Sequence, residues 1–453
     1  MKMFMEILNL FKRMYCIDEY EKYTFIPNHE NINMLLKEIR MLNMKLDSLN
    51  DSLYLDIIRD ILYHLVNLPR IWLLLPGFYI NNFFTKTFAK GIVLKNTSIL
   101  KMKIQDFRKY MHFLKKYIDR GNSLSFENLY MALYILRNVL KILYRCRRDL
   151  IKNILIEVER EMNFIQVKMR DIDEYKDIYS EILKKLYYID NIQAIENNID
   201  LLLHYIKVDI RQSSFNINSR DVSIILKDIK LFSSNLFSKK IYTNVYIENI
   251  PIFLRDIYFY PNYTPTRFIL NKAFDGIVWI NPFIKNIDKE IYILLLAHET
   301  YFGHHLHLNI ISRENIPILS KIYPYLPFSI IMEGYGVLGE HIFSKMLGED
   351  FYEKVFVKNY YIRLMRAKCD ILYHKYRYSD KDLEKIFPLW VYFKNFSKLM
   401  PGYWLNHVLG YQLLLNTLSK TSFKNYIEYM LWIGSLGTIS KNIFRKNIEK
   451  YFN

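Results

Sequence analysis

The chain has 453 residues, 51% of them hydrophobic, which is enough for a substantial core in one large domain or up to about three ordinary ones. Its net charge is +17, but the 63 Lys and Arg are interleaved with 46 Asp and Glu, and the densest basic patch, Arg145-Cys146-Arg147-Arg148, is short, so no nucleic-acid partner is expected. Cys16, Cys146 and Cys369 are odd in number and far apart, which argues against a disulfide framework or a cysteine metal site.

From the amino terminus, Glu6, Lys12 and Arg13 interrupt the apolar core that a signal peptide needs, and a cytoplasmic location is expected. Leu35, Leu36, Ile39, Leu42 and Leu46 recur at helical spacing. Ile61 to Ile80 is apolar but contains His64, Arg70 and two prolines, so it does not read as a membrane span. Leu129, Leu133, Leu136, Leu140 and Leu143 predict a second amphipathic helix; Ile182, Leu186 and Ile189, then Ile195, Ile199 and Leu202, continue the pattern. Residues 1–240 thus form a helical region without a recognisable motif. The texture changes near 240. Ile241-Tyr242-Thr243-Asn244-Val245-Tyr246-Ile247 and Gly276-Ile277-Val278-Trp279-Ile280 are β-like, with Pro251, Pro261, Pro265 and Pro282 between and after them. From 285 the pattern returns to helix. The expected fold class is mainly α with a small β-sheet. Residues 241–453 carry the sheet and the site helices in one integrated domain with 1–240.

The most informative segment is His298-Glu299-Thr300-Tyr301-Phe302-Gly303-His304-His305, which follows the apolar run Ile291-Tyr292-Ile293-Leu294-Leu295-Leu296-Ala297. Buried imidazoles need partners, and a metal ion suits several at once. Zinc hydrolases commonly use His-Glu-x-x-His, whose histidines share one helical face. Here the next histidines come six and seven residues after His298. On an ideal helix the sixth is on the wrong side and the seventh lies about 10 Å along the axis. A shared metal therefore requires a bulge or break between Glu299 and His304, and Gly303 is the residue that permits one, through a π-bulge or a positive φ. Without a metal, the cluster reads as hydrogen-bonded histidines near a surface. A third ligand is available in Glu333, set among apolar residues in Met332-Glu333-Gly334-Tyr335-Gly336-Val337-Leu338-Gly339-Glu340. Its other reading is a charge at a helix start. Two histidines and a glutamate with an open position are the ligand pattern of catalytic zinc sites, although iron or manganese could occupy the same set.

These segments resemble a known family. His298 to Leu306 looks like the His-Glu-x-Tyr-Pro-Gly-His-His-Leu-Gln signature of the DUF885 family, zinc metallopeptidases of the gluzincin type. Glu333 to Glu340 is similar to its Glu-Gly-Trp-Ala-Leu-Tyr-x-Glu segment. Arg363 to His374 resembles its Arg-Ala-x-Arg-Leu-Val-x-Asp-x-x-x-His helix. Pro401-Gly402 with Leu409-Gly410-Tyr411-Gln412 resembles its Pro-Gly-Gln-Ala-x-x-Tyr-Lys-x-Gly segment. The four motifs fall in the family's order over about residues 245–440. Phe302, His307, Tyr335, Gly336 and Gln412 stand where the family has Pro, Gln, Trp, Ala and Lys.

Chemistry and resemblance together give the roles. His298, His304 and Glu333 are the expected metal ligands, with His305 the rival of His304. Glu299 adjoins the first ligand and is the expected general base. If His304 binds metal, His305 is free to hydrogen-bond the substrate. Tyr411 is the candidate oxyanion donor. Arg366, Asp370 and His374, at i, i+4 and i+8, share one helix face. Arg366 and His374 are candidate substrate contacts and Asp370 a candidate orienter of a ligand histidine; the alternative is a surface salt-bridge ladder. The resemblance also makes Gly276–Asn281 a candidate edge strand for an extended peptide, against an ordinary buried strand. It implies a zinc-dependent, carboxypeptidase-like hydrolase of peptide or amide bonds. A metal-dependent enzyme acting on a specialised small molecule, and a non-catalytic relic, are the other readings.

Overall fold

A computed structural model describes residues 2–15, 25, 29–47, 53–89, 96–118, 123–170, 178–206, 208, 217–237, 243–284, 287–316, 318–322, 329–423 and 425–452. The fold is mainly helical with one small sheet. The chain divides into two compact units, one of residues 1–186 with 395–401, the other of 187–394 with 402–453.

The first unit is built from helices α1 (Lys2–Met14), α2 (His29–Asp47), α3 (Leu53–Leu74), α4 (Thr97–Ile118), α5 (Ser123–Tyr144) and α6 (Arg148–Arg170). Their apolar stripes follow the predicted spacing, except that Leu36 is only half-buried. Leu35, Ile39, Leu42 and Leu46 are buried on α2, and Leu129, Leu133, Leu136, Leu140 and Leu143 on α5. Asn128 is fully buried on α5, where its Oδ1 accepts Gly77 N–H at 2.7 Å and its Nδ2 donates to Leu399 O at 2.7 Å, so the returning segment 395–401 is tied in by a satisfied polar group. No single described helix is long and apolar enough to cross a membrane. Leu55–Leu74 with Pro76–Thr85 meets the length and composition only as a pair bent by 106°. Cys146 and Cys369 are free thiols, and Cys16 lies outside the described residues.

The second unit holds α7 (Ile192–Tyr205), α8 (Ser219–Leu236), strands β1 (Val245–Asn249), β2 (Asn262–Pro265) and β3 (Gly276–Ile280), then α9 (Lys289–Glu299), α10 (His304–Arg313), α11 (Ser329–Leu347), α12 (Val357–His374) and α13 (Leu405–Leu418). Residues 187–240 belong with this unit because α7 packs on α12, with Lys368 Nζ 2.6 Å from Asp200 Oδ1, and α8 packs on β1 and α9. The strand order is β1-β3-β2, with β1 parallel and β2 antiparallel to β3. This corrects the expectation for Gly276–Asn281. The strand in that segment is central, both its edges are paired, and it cannot accept a peptide by β-augmentation. Of the predicted first β segment, Ile241 and Tyr242 lie outside the described residues and the strand begins at Val245.

Three features position the site. Asp288 caps α9 by accepting Glu290 N and Ile291 N at 3.0 and 3.3 Å. Helices α11 and α13 cross in close contact at Gly334 and Gly410, where a Cβ on Gly410 would lie 1.9 Å from Ile330 O. Asp370 on α12 accepts Gly402 N at 2.8 Å and anchors the turn before α13.

Candidate metal centre

The chain breaks between α9 and α10, as the histidine spacing requires. Phe302 N reaches five residues back to Ala297 O at 3.3 Å, and Leu306 N reaches six back to Thr300 O at 3.2 Å. Regular helix resumes with His307 N to Gly303 O at 2.9 Å. The break carries that one π-type bond without continuing as helix, and it is not a left-handed turn, since Gly303 has φ −124°. Glycine is needed there because a Cβ would lie 1.8 Å from His298 O. Phe302, beside this glycine, is fully buried against Phe343, Phe237 and Phe232.

The break brings His298 and His304 to ring centroids 4.6 Å apart. Both face Glu333 on α11. Glu333 Oε2 lies 3.3 Å from His298 Nε2, 3.5 Å from His304 Nε2 and 3.0 Å from His407 Nε2. All four side chains are buried. Glu299 lies beside them, its Oε2 3.9 Å from His304 Nε2 and accepting Tyr263 N at 3.0 Å.

Glu333 and Glu340 sit at i and i+7 on α11, on one face and about 10 Å apart along the axis. The His298 ring spans them, with Nδ1 2.7 Å from Glu340 Oε1. Glu340 is fully buried, accepts Asn359 Nδ2 at 2.8 Å and pairs with Arg363. The short contact makes Nδ1 the protonated nitrogen, donating to Glu340, so Arg363 Nη2 at 3.4 Å is not its donor. His298 Nε2 therefore presents its lone pair towards Glu333, and a proton or a cation must lie between them. Gly336 lies under this ring, where a Cβ would come within 2.4 Å of Cε1.

The donor set fits a divalent metal ion. Bonds of about 2.0–2.1 Å at tetrahedral angles hold donor atoms about 3.3–3.4 Å apart, and the three imidazole-to-Glu333 separations bracket that value. The groups His298, Glu333, His407 and His298, Glu299, His304 each offer ligand atoms within 4.8 Å of one another. The Nδ1 atoms of His304 and His407 are buried without a hydrogen-bond partner among the described residues.

Charge follows the same arrangement. Burial would raise Glu333, but His407 and His304 beside it hold the carboxylate well below its ordinary range. Burial would lower His298, but its hydrogen bonds to Glu333 and Glu340 raise it. Glu299 is pushed up to about 8 by burial, with His304 acting in the opposite direction.

Several expected roles are redistributed. His305 turns away from the centre, its Nδ1 2.8 Å from Tyr263 Oη and its Nε2 2.9 Å from Thr243 Oγ1. Neighbouring helix positions point about 100° apart, and both nitrogens of His305 are directed at Tyr263 and Thr243 while His304 faces Glu333. Tyr411 is directed at His341 Nδ1, among Phe356 and Tyr360, and not at the centre. Asp370 holds Gly402 N and faces His374 Nε2 at 3.6 Å. The carboxylate that partners His298 is Glu340 instead, and His374 remains beside Asp370. The 366–370–374 face is buried and not a surface ladder. Arg366 stacks on Trp404, Phe393 and Tyr260, and burial, then Arg363, lowers it to about 9.

Nothing in the motif spacing singles out His407 or Tyr403. Tyr403 donates to Glu333 Oε1, so both oxygens of that carboxylate are held. The available signal was that both lie inside the matched segment from Pro401 to Gln412, where a histidine stands four residues before Tyr411.

No protein-family model and no curated protein matches the chain. Two solved structures share its fold along nearly the whole length. A protein from Shewanella oneidensis, provisionally named a lipoprotein and of unknown function, is 11% identical with TM-score 0.67, covering 98% of this chain and 97% of its own. Another provisionally named lipoprotein, from Colwellia psychrerythraea, is 14% identical with TM-score 0.57, covering 99% and 97%. Likeness at these identities shows the fold alone.

Proposed function

We propose that the chain is a zinc-dependent hydrolase of peptide or amide bonds, as its likeness to the DUF885 motifs implies. The observation that carries this reading is the convergence of His298, His304 and His407 on one oxygen of Glu333, with the separate carboxylate of Glu299 alongside. His298, His304 and Glu333 would hold the metal, with His407 as a further donor or as a hydrogen-bond donor to bound substrate. A divalent ion there supplies a Lewis acid that polarises a carbonyl and lowers the pKa of water. Glu299 uses one oxygen to accept Tyr263 N–H, which leaves the other to take a proton from the attacking water and pass it to the leaving amine. Glu340 keeps His298 in the tautomer that ligates, and Tyr403 orients Glu333.

His407 favours a second reading. Three imidazoles and one carboxylate exceed the three protein ligands of a typical hydrolytic zinc site and suit iron or manganese, with chemistry on a specialised small molecule. Elemental analysis of the purified protein separates the two. Near-stoichiometric zinc that is lost in His298→Ala and Glu333→Ala, and retained in a Glu299→Gln variant that no longer cleaves peptides, supports the hydrolase. Iron or manganese in place of zinc supports the second reading, and no bound metal after reconstitution overturns both.

A further inference from the structure

Arg363 and Arg366 are one turn apart on α12, and both are buried. Arg363 has its carboxylate in Glu340. Arg366 is 2% exposed and has neither an ion pair nor a hydrogen-bond acceptor among the described residues; its Nε is a buried donor without a partner. Asp370, one turn further on, would be its natural partner but accepts Gly402 N instead. Aromatic faces offset part of the charge: the guanidinium lies 4.4 Å from the Trp404 ring, 4.9 Å from Phe393 and 5.4 Å from Tyr260. Rings supply no in-plane acceptor, so the fork of N–H donors remains unmatched.

The cage adjoins the metal centre. Trp404 is next to Tyr403, which reaches Glu333, and its ring is 5.9 Å from that of His407. Steps of 4.4 Å from guanidinium to Trp404 and 5.9 Å from Trp404 to His407 place Arg366 no more than about 10 Å from that imidazole. At about 3.3–3.6 Å per residue, no more than about three residues of a peptide span such a distance.

We infer that Arg366 is the receptor for a carboxylate on the substrate, so that the enzyme acts on molecules with a free carboxylate within about three residues of the bond it hydrolyses. The inference rests on the hydrolase reading for its substrate class. A planar guanidinium matches a carboxylate with two parallel hydrogen bonds. A single cation, with Arg363 already neutralised by Glu340, suits a monoanion better than a phosphate dianion.

The test is calorimetric binding of N-acetylated dipeptides with a free carboxylate, and of the corresponding amides, to Glu299→Gln protein, with and without Arg366→Met or Arg366→Lys. The free acid should bind at least about tenfold more tightly than the amide. Both Arg366 substitutions should abolish that preference without changing metal content. Equal binding of acid and amide overturns the inference, and needs no Arg366 variant to be seen. A preference that survives in Arg366→Met assigns the carboxylate to the metal and overturns it too, as does binding of inorganic phosphate in place of the acid. Protein without metal that still prefers the acid through Arg366 sustains the carboxylate site while refuting the hydrolase reading.

Discussion

Replacing Glu340 by Gln tests how the centre is built, because it preserves shape and removes one charge. Glu340 is fully buried and takes hydrogen bonds from His298 Nδ1 at 2.7 Å and Asn359 Nδ2 at 2.8 Å besides its pair with Arg363. Two losses follow. His298 exchanges an anionic acceptor for a neutral one, and substitution of such a partner weakens metal binding by about 10–100-fold, or about 1.4–2.7 kcal/mol. Arg363, 1% exposed, loses its counter-charge, and breaking a buried pair costs about 3–5 kcal/mol. The second loss is separable, since Arg363→Met in the same chain removes the stranded cation and should recover much of the stability without restoring metal affinity. Competition against a chromophoric chelator gives the affinity, and urea denaturation of chelator-treated protein gives the stability. A folded Glu340→Gln protein with wild-type metal affinity would refute the assignment of Glu340 as the partner of a ligand histidine.

Three further substitutions probe other links. Gly336→Ala puts a methyl group within 2.4 Å of His298 Cε1 and should lower metal affinity at least about tenfold by displacing the ring, with overpacking of about 1–3 kcal/mol; wild-type affinity would mean the ring has room to move. Tyr403→Phe removes the donor to Glu333 Oε1 and should weaken metal binding by roughly tenfold, about 1.4 kcal/mol, with an unchanged chelator titration counting against it. In the first unit, burial lowers His64 to about 3. The unfolded chain takes up that proton below about pH 6.5 and the folded protein does not, so the contribution is complete above about 6.5 and declines towards pH 3, by up to about 1.4 kcal/mol per pH unit. His64→Leu should flatten the acid limb of the urea midpoint against pH by about one proton, and an unchanged slope would show that His64 is not held neutral.

What the sequence discloses here is whatever depends on nearby residues. The stripe from Leu129 to Leu143 is entirely buried because helical periodicity alone decides it. The break before His304 was legible because six- and seven-residue spacings cannot serve one ion from a straight helix. The choice between His304 and His305 was not, since it depends on Thr243 and Tyr263 reaching His305 from about 60 and 40 residues earlier. The central place of β3 was hidden because β2 is four residues ending in proline and shows no alternation. His407 reaches Glu333 only because α11 and α13 approach closely at Gly334 and Gly410, a contact between residues far apart in the chain.

Asp370 was the nearest acid by helical spacing, which made it the natural partner for Arg366 and for a histidine of the centre; the fold sets it against Gly402 N and His374 instead. The acids of this region are engaged elsewhere: Glu340 serves Arg363 and His298, and Asp370 is used on a backbone amide of the turn that carries Tyr403 and Trp404. Arg366 is thus left without a carboxylate while one lies a single turn away, and aromatic rings close around it. If Arg366 were only a structural cation, exchange with the unbranched apolar Met should be neutral or stabilising, because a buried charge without a partner is costly. If it awaits a substrate carboxylate, Arg366→Met should stabilise the free protein and remove the stabilisation that an acid ligand gives the wild type. Thermal denaturation of both proteins with and without an N-acetylated dipeptide acid measures the two effects together, and an equal ligand-induced rise in Tm in both would leave Arg366 as packing.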